Sequence, residues 1–237
     1  MKMLYIDGMN LRYLVKELNE KLTGKKISRV IQYDNLSFSL FLGKDNLYFS
    51  INPNLPLVYI KDDKELAPEK PMNFSLSLKK FLVSALVKEI KQKNFDRIIE
   101  IIFGKVDELG DYKEYSLLIE LMGKHSNIFI LDKSNKILDL MKKSTLEESS
   151  QRLLMQNAPY EELILDDKLS YENVDEETFE RIKGKLSKEV QGFGKYNNDR
   201  CKSFEMFKDL ASEEAKPTVY YDENKIVFSS FLEYEAF

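Results

Sequence analysis

The chain has 237 residues, of which 43% are hydrophobic and 32% are charged, with a formal net charge of −4 and a mean hydropathy of −0.40. These values fit a globular protein of one or two domains, and no apolar run is long enough for a membrane-spanning helix. One histidine and one cysteine exclude the His- and Cys-rich ligand sets of common structural zinc sites.

Familiar catalytic motifs are also missing from the sequence. It contains no G-x-S-x-G, Walker A or G-x-G-x-x-G motif, and nothing indicates that Cys201 meets His125 as a nucleophile–base pair. We therefore expect no enzyme activity, catalytic residue, cofactor or metal, although a carboxylate-only active site stays open. Cys201 cannot form an internal disulfide, and Asp7 interrupts any apolar signal region near the start, which together predict a cytoplasmic protein.

Hydrophobic periodicity predicts one helix followed by a series of strands in the first quarter of the chain. Apolar residues at helical spacing predict a helix over residues 9–22, and Gly24 is placed to end it. Apolar alternation then predicts strands over residues 27–32, 36–42, 47–51 and 57–60. Turn residues at 43–46 predict a hairpin between the second and third of these strands.

The middle of the chain predicts a second helix and more antiparallel pairs. Apolar residues at helical spacing over residues 78–90 predict an amphipathic helix. Its opposite face would carry four lysines, Lys79, Lys80, Lys88 and Lys91. The strands predicted after it cover residues 98–103, 115–122, 128–131 and 137–141. Hairpins flanked by two helices indicate an α+β fold, an antiparallel-sheet domain with flanking helices.

Composition changes after Ser144 and predicts the domain organisation. We expect an α+β domain over residues 1–160, an acidic linker and helical module over 161–212 with a helix at 204–211, and a closing β-hairpin over 213–237. Residues 161–180 hold nine acids and one lysine, whereas residues 79–105 hold seven basic and three acidic residues. The basic segment fits a phosphate-facing patch, but a solvated helix face beside an acidic linker gives the same pattern more often.

Three residues stand out as candidates for binding. Arg97 offers a rigid fork of donors suited to phosphate or to stacking on a base, and the adjacent Asp96 could orient that fork. Read alone, however, an adjacent pair of opposite charges is more often a surface ion pair of little energetic value. Asp7 precedes the first helix, so its default role is that of an N-cap.

Four further residues are candidate RNA contacts, and each also has an explanation that involves no ligand. Lys79 and Lys80 could contact phosphates, although a solvated helix face is the more frequent explanation of such a pair. Lys124 and His125 lie in a glycine-containing turn, where His125 could stack on RNA. A turn histidine bonded to nearby backbone is the more frequent arrangement.

Several stretches of the sequence resemble the N-terminal domain of the NFACT family. They are the opening YIDGMNLRYLVKELNEKLTGKKISRV, the helix start PMNFSLSLKK (similar to P-x-N-F-C-x-L-L-R-K), the Asp-Arg element FDRII, the hairpin ELMGKHSNIFILD, and the late PTVYYDENKIVFSSF. The resemblance covers essentially the whole chain. This family comprises the bacterial RqcH-type ribosome quality-control factors, long labelled fibronectin-binding proteins.

The resemblance implies a fold similar to the N-terminal domain of formamidopyrimidine-DNA glycosylases, followed by a small helix-hairpin-helix-like module. Those glycosylases use an N-terminal proline amine as nucleophile, whereas this chain begins Met1-Lys2-Met3. We therefore expect a nucleic-acid-binding fold without base-excision chemistry.

The resemblance also implies a function in the rescue of stalled ribosomes. RqcH-type proteins bind large ribosomal subunits obstructed by peptidyl-tRNA and recruit alanyl-tRNA, so that alanine tails are added to the stalled chain. In the family an early aspartate and the Asp-Arg pair are tied to tailing. They correspond here to Asp7, Asp96 and Arg97, which we expect to bind tRNA from one solvent-facing pocket, reading RNA through shape, phosphates and unpaired bases.

Two departures from the family pattern limit this expectation. The family's Cys and Arg in the PMNFSLSLKK region are Ser75 and Lys79 here, which puts bidentate phosphate contact there in doubt. Full-length members continue into a coiled coil and a further RNA-binding domain, so we expect this chain to be an N-terminal fragment that does not support tailing alone.

An adhesin that binds fibronectin, at the cell surface but without a signal peptide, is the alternative that the family label suggests. An exposed strand edge could accept an extended peptide of such a partner. A glycosylase-like enzyme is a third hypothesis, but it lacks a nucleophile.

Overall fold

The computed structural model describes residues 7–62, 67–144, 152–162, 168–211, 218–221 and 224–227. None of the helices in these ranges combines the length and the apolar character needed to cross a bilayer. The same ranges hold no cluster of three or more His, Cys, Asp or Glu side chains placed to bind a metal ion.

The first helix and the first sheet form as the periodicity predicts. Helix α1 covers Gly8–Leu22 and buries its apolar face, and Gly24 follows it with a φ of +80°. An antiparallel sheet then runs in the order β1-β2-β3-β4. Its strands are β1 Ile27–Gln32, β2 Ser37–Leu42, β3 Asp45–Asn52 and β4 Leu55–Ile60.

The second predicted helix is wrong in its second half. Helix α2 covers only Asn73–Leu82, and the chain turns at Ser84, whose φ is +71°. Strand β5 follows over Leu86–Gln92 and contains a β-bulge between Val87 and Glu89. Because the bulge adds one residue, Val87 and Ile90 both lie buried at a spacing of three, which imitates a helical period.

The second antiparallel sheet has five strands in the order β5-β6-β7-β8-β9. After β5 these are β6 Ile98–Val106, β7 Tyr112–Glu120, β8 Asn127–Asp132 and β9 Ile137–Leu140. A short 3-10 turn, Gly123–His125, connects β7 to β8. The fold is therefore α+β, with two antiparallel sheets and flanking helices, as the sequence predicts at that level.

The main core is formed by both sheets together with α1 and α2. Phe38 and Phe49 stack there with ring centroids 4.7 Å apart. A smaller apolar cluster covers part of the second sheet, where the segment from Arg152 to Tyr160 packs against β8 and β9. This arrangement leaves the ends of α1 and β5 close to the helical part of the chain.

Four short helices and a hairpin complete the described chain. The helices are α3 Glu176–Ile182, α4 Leu186–Glu189, α5 Lys195–Arg200 and α6 Phe204–Ala211. They share a separate apolar cluster around Phe179, Phe193 and Phe207, to which α1 contributes Met9. Strands β10 Thr218–Tyr221 and β11 Asn224–Val227 form the hairpin. The division into domains at residues 160 and 212 stays a prediction.

Candidate functional site

Asp7 lies at the first turn of α1 and is buried, with 2% of its surface exposed. Its Oδ1 accepts a hydrogen bond from the backbone N–H of Asn10 (3.0 Å), so the default prediction of an N-cap is confirmed. Its Oδ2 accepts from the backbone N–H of Gly194 (2.8 Å) and from Nδ2 of Asn197 (2.7 Å). Burial raises the pKa of Asp7, while these hydrogen bonds and the charge of Arg97 act in the opposite direction.

Three chain segments approach one another closely around Asp7, and we call residues 7–8, 92–97 and 191–197 the Asp7 junction. A Cβ on Gly8 would lie 2.0 Å from the carbonyl oxygen of Phe95 and 2.7 Å from Cα of Gly192. The backbone N–H of Met9 donates to the carbonyl of Gly192 at 3.1 Å. Only glycine permits this approach of backbones.

The turn that carries the Asp-Arg pair has an unusual backbone. Asn94 and Phe95 both have positive φ, +50° and +52°. Asparagine tolerates this region, but a bulky aromatic residue adopts it only where its surroundings enforce it. The backbone N–H of Asp96 donates to the carbonyl of Lys93 at 3.0 Å and closes a turn with Asn94 and Phe95 at its centre, where a hairpin turn requires positive φ. The Phe95 carbonyl also lies against Gly8 and Gly192, so the other two segments of the junction pack on this turn.

Hydrogen bonds fix the backbone on both sides of Asp96 and Arg97. The side-chain amide of Gln92 donates to the carbonyls of Gly8 (2.7 Å) and Asp96 (2.8 Å). The Asp96 carboxylate accepts from the backbone N–H of Arg97 (2.7 Å), and the Arg97 carbonyl accepts from Leu121 (2.8 Å). Asp96 and Arg97 are each half-buried, so both keep part of their surface open to a ligand.

The structure brings the three predicted site residues together but not on one solvent-facing surface. Arg97 is close enough to Asp7 to act on its carboxylate electrostatically. The expectation that Asp7 faces solvent is nevertheless wrong, because its carboxylate is enclosed and accepts three hydrogen bonds within the protein. The exposed part of the site belongs to Asp96 and Arg97.

An open pocket of about 420 Å³ lies beside the Asp-Arg turn. It is lined by amide, hydroxyl and aromatic side chains, those of Gln92, Asn94, Phe95, Ser170 and Gln191. The Phe95 ring meets the Tyr171 ring edge-on at 4.7 Å. Such a lining offers donors, acceptors and a stacking surface, which are the groups that recognise an unpaired base.

The other predicted contacts lie on separate surfaces. Lys79 and Lys80 are exposed in the last turn of α2. Lys124 and His125 are exposed in the 3-10 turn between β7 and β8, where the backbone N–H of His125 donates to Met122. All four side chains are accessible, and their role in RNA contact stays a prediction.

Several residues that build the site were not predicted from the sequence. Asn197 and Gln92 gave no local signal, because their partners lie 190 and 84 residues away. The buried ion pair between Arg152 and Glu120 was not predicted either. Both terminal nitrogens of Arg152 donate to the Glu120 carboxylate, one of them at 2.7 Å. Glu120 ends β7, next to the Leu121 amide that bonds Arg97.

A family model for the NFACT N-terminal and middle domains matches residues 7–200. The chain belongs to the NFACT family. The matched range contains the entire Asp7 junction and the two lysines of α2. Family membership thus agrees with the resemblance carried by the DGMN, FDRII and ELMGKHSNIFILD segments.

Named relatives of this NFACT chain include bacterial and human proteins. The protein named Rqc2 homolog RqcH from Streptococcus pneumoniae is 32% identical over 159 residues, covering 65% of this chain and 29% of that protein. Human ribosome quality control complex subunit NEMF is 26% identical over 140 residues, covering 59% of this chain and 12% of NEMF. The chain therefore spans less than a third of either relative.

A solved structure shows the same NFACT architecture. The crystal structure of the N-terminal domain of fibronectin-binding protein PavA from S. pneumoniae matches with a TM-score of 0.75 and 26% identity, covering 96% of this chain and 95% of that domain. The two sheets and flanking helices described above are thus an architecture that a solved NFACT-type domain also adopts.

Proposed function

We propose that this chain is the N-terminal tRNA- and large-ribosomal-subunit-binding region of a ribosome quality-control factor. In this proposal it acts in the cytoplasm on subunits obstructed by peptidyl-tRNA and recruits alanyl-tRNA for C-terminal alanine tailing. Support comes from membership in the NFACT family and from the name of the human relative, a ribosome quality control complex subunit. The ribosome makes the peptide bonds in this scheme, so the chain itself needs no catalytic residue.

The Asp96–Arg97 turn is the observation that carries the proposal. Arg97 is partly exposed on a fixed backbone, and a guanidinium can bond phosphate with two donors or stack on a base. The open pocket beside it adds amides and an aromatic ring within the same surface. RNA recognition depends on such combinations of phosphate contact and unpaired-base contact.

A second surface supports contact with the RNA backbone, and we call Lys79, Lys80 and Lys105 the α2 lysine surface. The Lys105 amine donates to the carbonyl of Lys80 at 3.0 Å, and the Lys80 amine lies 5.0 Å from the Phe81 ring centroid. No carboxylate of the described residues pairs with these three amines. Unpaired lysines contribute to phosphate binding by releasing counterions.

The finer fold assignment also belongs to this proposal. We propose that the sheets correspond to a formamidopyrimidine-DNA glycosylase-like domain and that α3 to α6 form a helix-hairpin-helix-like module. The glycosylase reaction needs an N-terminal nucleophile, and Met1-Lys2-Met3 lie outside the described residues. The proposal is binding without base excision, and it rests on membership in the NFACT family.

The test is tRNA binding by the purified 237-residue chain, measured by fluorescence anisotropy at several salt concentrations. We expect Arg97→Ala to weaken binding about 10-fold, because a charge-assisted contact contributes about 1.5–3 kcal/mol. The matched control is Arg29→Ala, an exposed arginine that packs on Phe41, which should leave affinity within a factor of two. Equal affinities for the wild-type chain and Arg97→Ala would overturn the proposal.

Fibronectin binding is a second candidate function, favoured by one observation. Strand β4 forms an edge of the first sheet, and five of its six residues are partly exposed, so an extended peptide could add to it. The related PavA domain is named a fibronectin-binding protein. Surface labelling of intact cells, with a ribosomal protein as the internal control, separates the two functions: labelling of this protein alone favours the adhesin.

A further inference from the structure

We propose that Asp7 is a positioning residue that fixes the helical part of the chain, residues 168–211, against the turn carrying Asp96 and Arg97. Asn197 is its partner in this role. The inference rests on the tRNA-binding function proposed above and gives Asp7 a task in it without ligand contact.

The first support is the set of groups that the Asp7 carboxylate joins. Oδ1 accepts from Asn10 in α1, while Oδ2 accepts from Gly194 and Asn197 at the start of α5. Asp7 and Asn197 are 2% and 5% exposed, so water does not replace these bonds. Hydrogen bonds to a buried carboxylate are among the stronger ones in proteins, and this set spans the boundary between two apolar clusters.

The second support is the physical connection from this carboxylate to the Asp-Arg turn. The segment held by Asp7 contains Gly192, whose Cβ, if present, would be 2.6 Å from the Phe95 carbonyl. A displacement of residues 191–194 therefore removes a backbone segment that packs directly on the Phe95 carbonyl, at the centre of the turn. Asp96 and Arg97 follow directly in the chain, so their orientation depends on the same contact.

The third support is the composition of the open pocket. Gln92, Asn94 and Phe95 line it from the side of the Asp-Arg turn, and Ser170 and Gln191 line it from the helical part. Its shape is therefore set by how these two parts are held together. A ligand that contacts both walls would bind only when the helical part is fixed, which is the task assigned to Asp7.

Exchanging the side chains of Asp7 and Asn197 distinguishes a positioning role of Asp7 from direct contact with the ligand. In Asn197→Asp, two carboxyl groups would face each other where Oδ2 and Nδ2 now lie 2.7 Å apart. They either share one proton or repel each other as two carboxylates, and a higher pH favours the repelling pair, which drives the helical part away. In the double variant Asp7→Asn/Asn197→Asp, the asparagine at position 7 can cap α1 with its oxygen and donate its amide to the new carboxylate. The contact between positions 7 and 197 is thereby restored with its polarity reversed. The backbone N–H of Gly194 loses its acceptor Oδ2, so the recovery is partial.

The experiment measures tRNA affinity by fluorescence anisotropy for the wild-type chain, both single variants and the exchanged double variant. Circular dichroism confirms that each is folded at the assay temperature. We expect Asn197→Asp to weaken binding about 10-fold or more, and the double variant to recover at least 3-fold of that loss. Asn198→Asp is the matched control, because Asn198 lies in the same helix, is also buried and bonds Ser187 and Asp199 instead; it should change affinity by less than 3-fold.

Each outcome decides the inference. A double variant that binds as weakly as Asn197→Asp overturns it, because a directly contacting Asp7 would not be replaced by an acid at position 197. Folded Asn197→Asp with unchanged affinity at both pH 7 and pH 9 also overturns it, since the hydrogen bond would then be purely structural. If the wild-type chain has no tRNA affinity, the proposed function is refuted instead. The exchange of the side chains at positions 7 and 197 then still tests positioning, with the melting temperature as the readout. Failure of the double variant to regain stability counts against the Asp7–Asn197 contact.

Discussion

Removal of the Arg152 side chain should destabilise the chain strongly. Glu120 is fully buried and Arg152 is 5% exposed. Arg152 bonds both oxygens of Glu120, and it also donates to the Glu161 carbonyl at 2.9 Å. In Arg152→Met, the one hydrogen bond that the Glu120 carboxylate keeps within the described part of the chain comes from Tyr160 at 2.8 Å, so the carboxylate stays buried with a single described partner.

The expected loss is about 3–5 kcal/mol, the range for breaking a buried ion pair by removing one partner. At about 2–4 °C per kcal/mol for a chain of this length, the melting temperature should fall by roughly 6–20 °C. Lys183→Met is the matched control, because Lys183 pairs with Glu180 at 3.2 Å while both remain 40% or more exposed. That exposed pair should contribute less than about 1 kcal/mol.

Urea unfolding followed by circular dichroism measures both variants. A double variant, Glu120→Gln/Arg152→Met, removes the buried charge and keeps an acceptor for Tyr160. It should regain roughly 2 kcal/mol or more of the stability lost in Arg152→Met. If Arg152→Met costs no more than Lys183→Met, the reasoning from burial is refuted.

Three further predictions concern packing, a buried thiol and the RNA-binding surface. Gly8→Ala should lower the free energy of unfolding in urea by at least about 3 kcal/mol, because its Cβ would meet the Phe95 carbonyl at 2.0 Å. The control Gly43→Ala has open space around its Cβ but a φ of +66°, so it should lower the free energy of unfolding by only about 1 kcal/mol. Equal losses in the two variants would contradict this prediction. Burial raises the pKa of Cys201 from 9.0 to about 11. Between these values the unfolded chain loses the thiol proton before the folded chain does, so the free energy of unfolding should fall as pH rises from 9 to 11. Thiol labelling at pH 8 should be far slower in the folded chain than in urea. Replacing the α2 lysine surface by alanine should reduce the slope of log affinity against log salt by about 1 for each phosphate that these lysines neutralise. Three exposed lysines elsewhere, Lys44, Lys185 and Lys202, serve as the control, and equal slopes for the two triple variants would remove the surface from the proposal.

Much of the α+β fold could be predicted because its signals are local. Helix α1 and strands β1 to β4 form where apolar spacing predicts them, and the turn predicted at residues 43–46 joins β2 to β3 through Gly43 and Lys44. Helix α6 has the bounds that its apolar spacing predicts. Each of these elements is encoded by residues a few positions apart, so the sequence alone contains the physical cause.

The mistaken helix over residues 78–90 shows where local reading fails. Strand β5 pairs with β6 through this bulge, and α1 packs on the same strand. The backbone N–H of Ile90 donates to the Asn19 side chain at 2.8 Å, a partner 71 residues away. Without that partner the apolar spacing fits a helix better than a strand.

In the candidate site, too, the sequence predicts the local contacts and misses the contacts between distant segments. The sequence by itself determined that Asp7 could cap α1, since the acceptor and the Asn10 amide are three residues apart. It also placed the Asp-Arg pair at a strand start, where the pair read alone is more often a surface ion pair and only the family resemblance made it a candidate site. Only the tertiary structure decided that Asp7 is buried, that Gly194 and Asn197 share its carboxylate, and that Gly8 and Gly192 enclose the Phe95 carbonyl. Those contacts join segments 84–190 residues apart, and they form only when both apolar clusters are packed, which no local pattern of residues specifies.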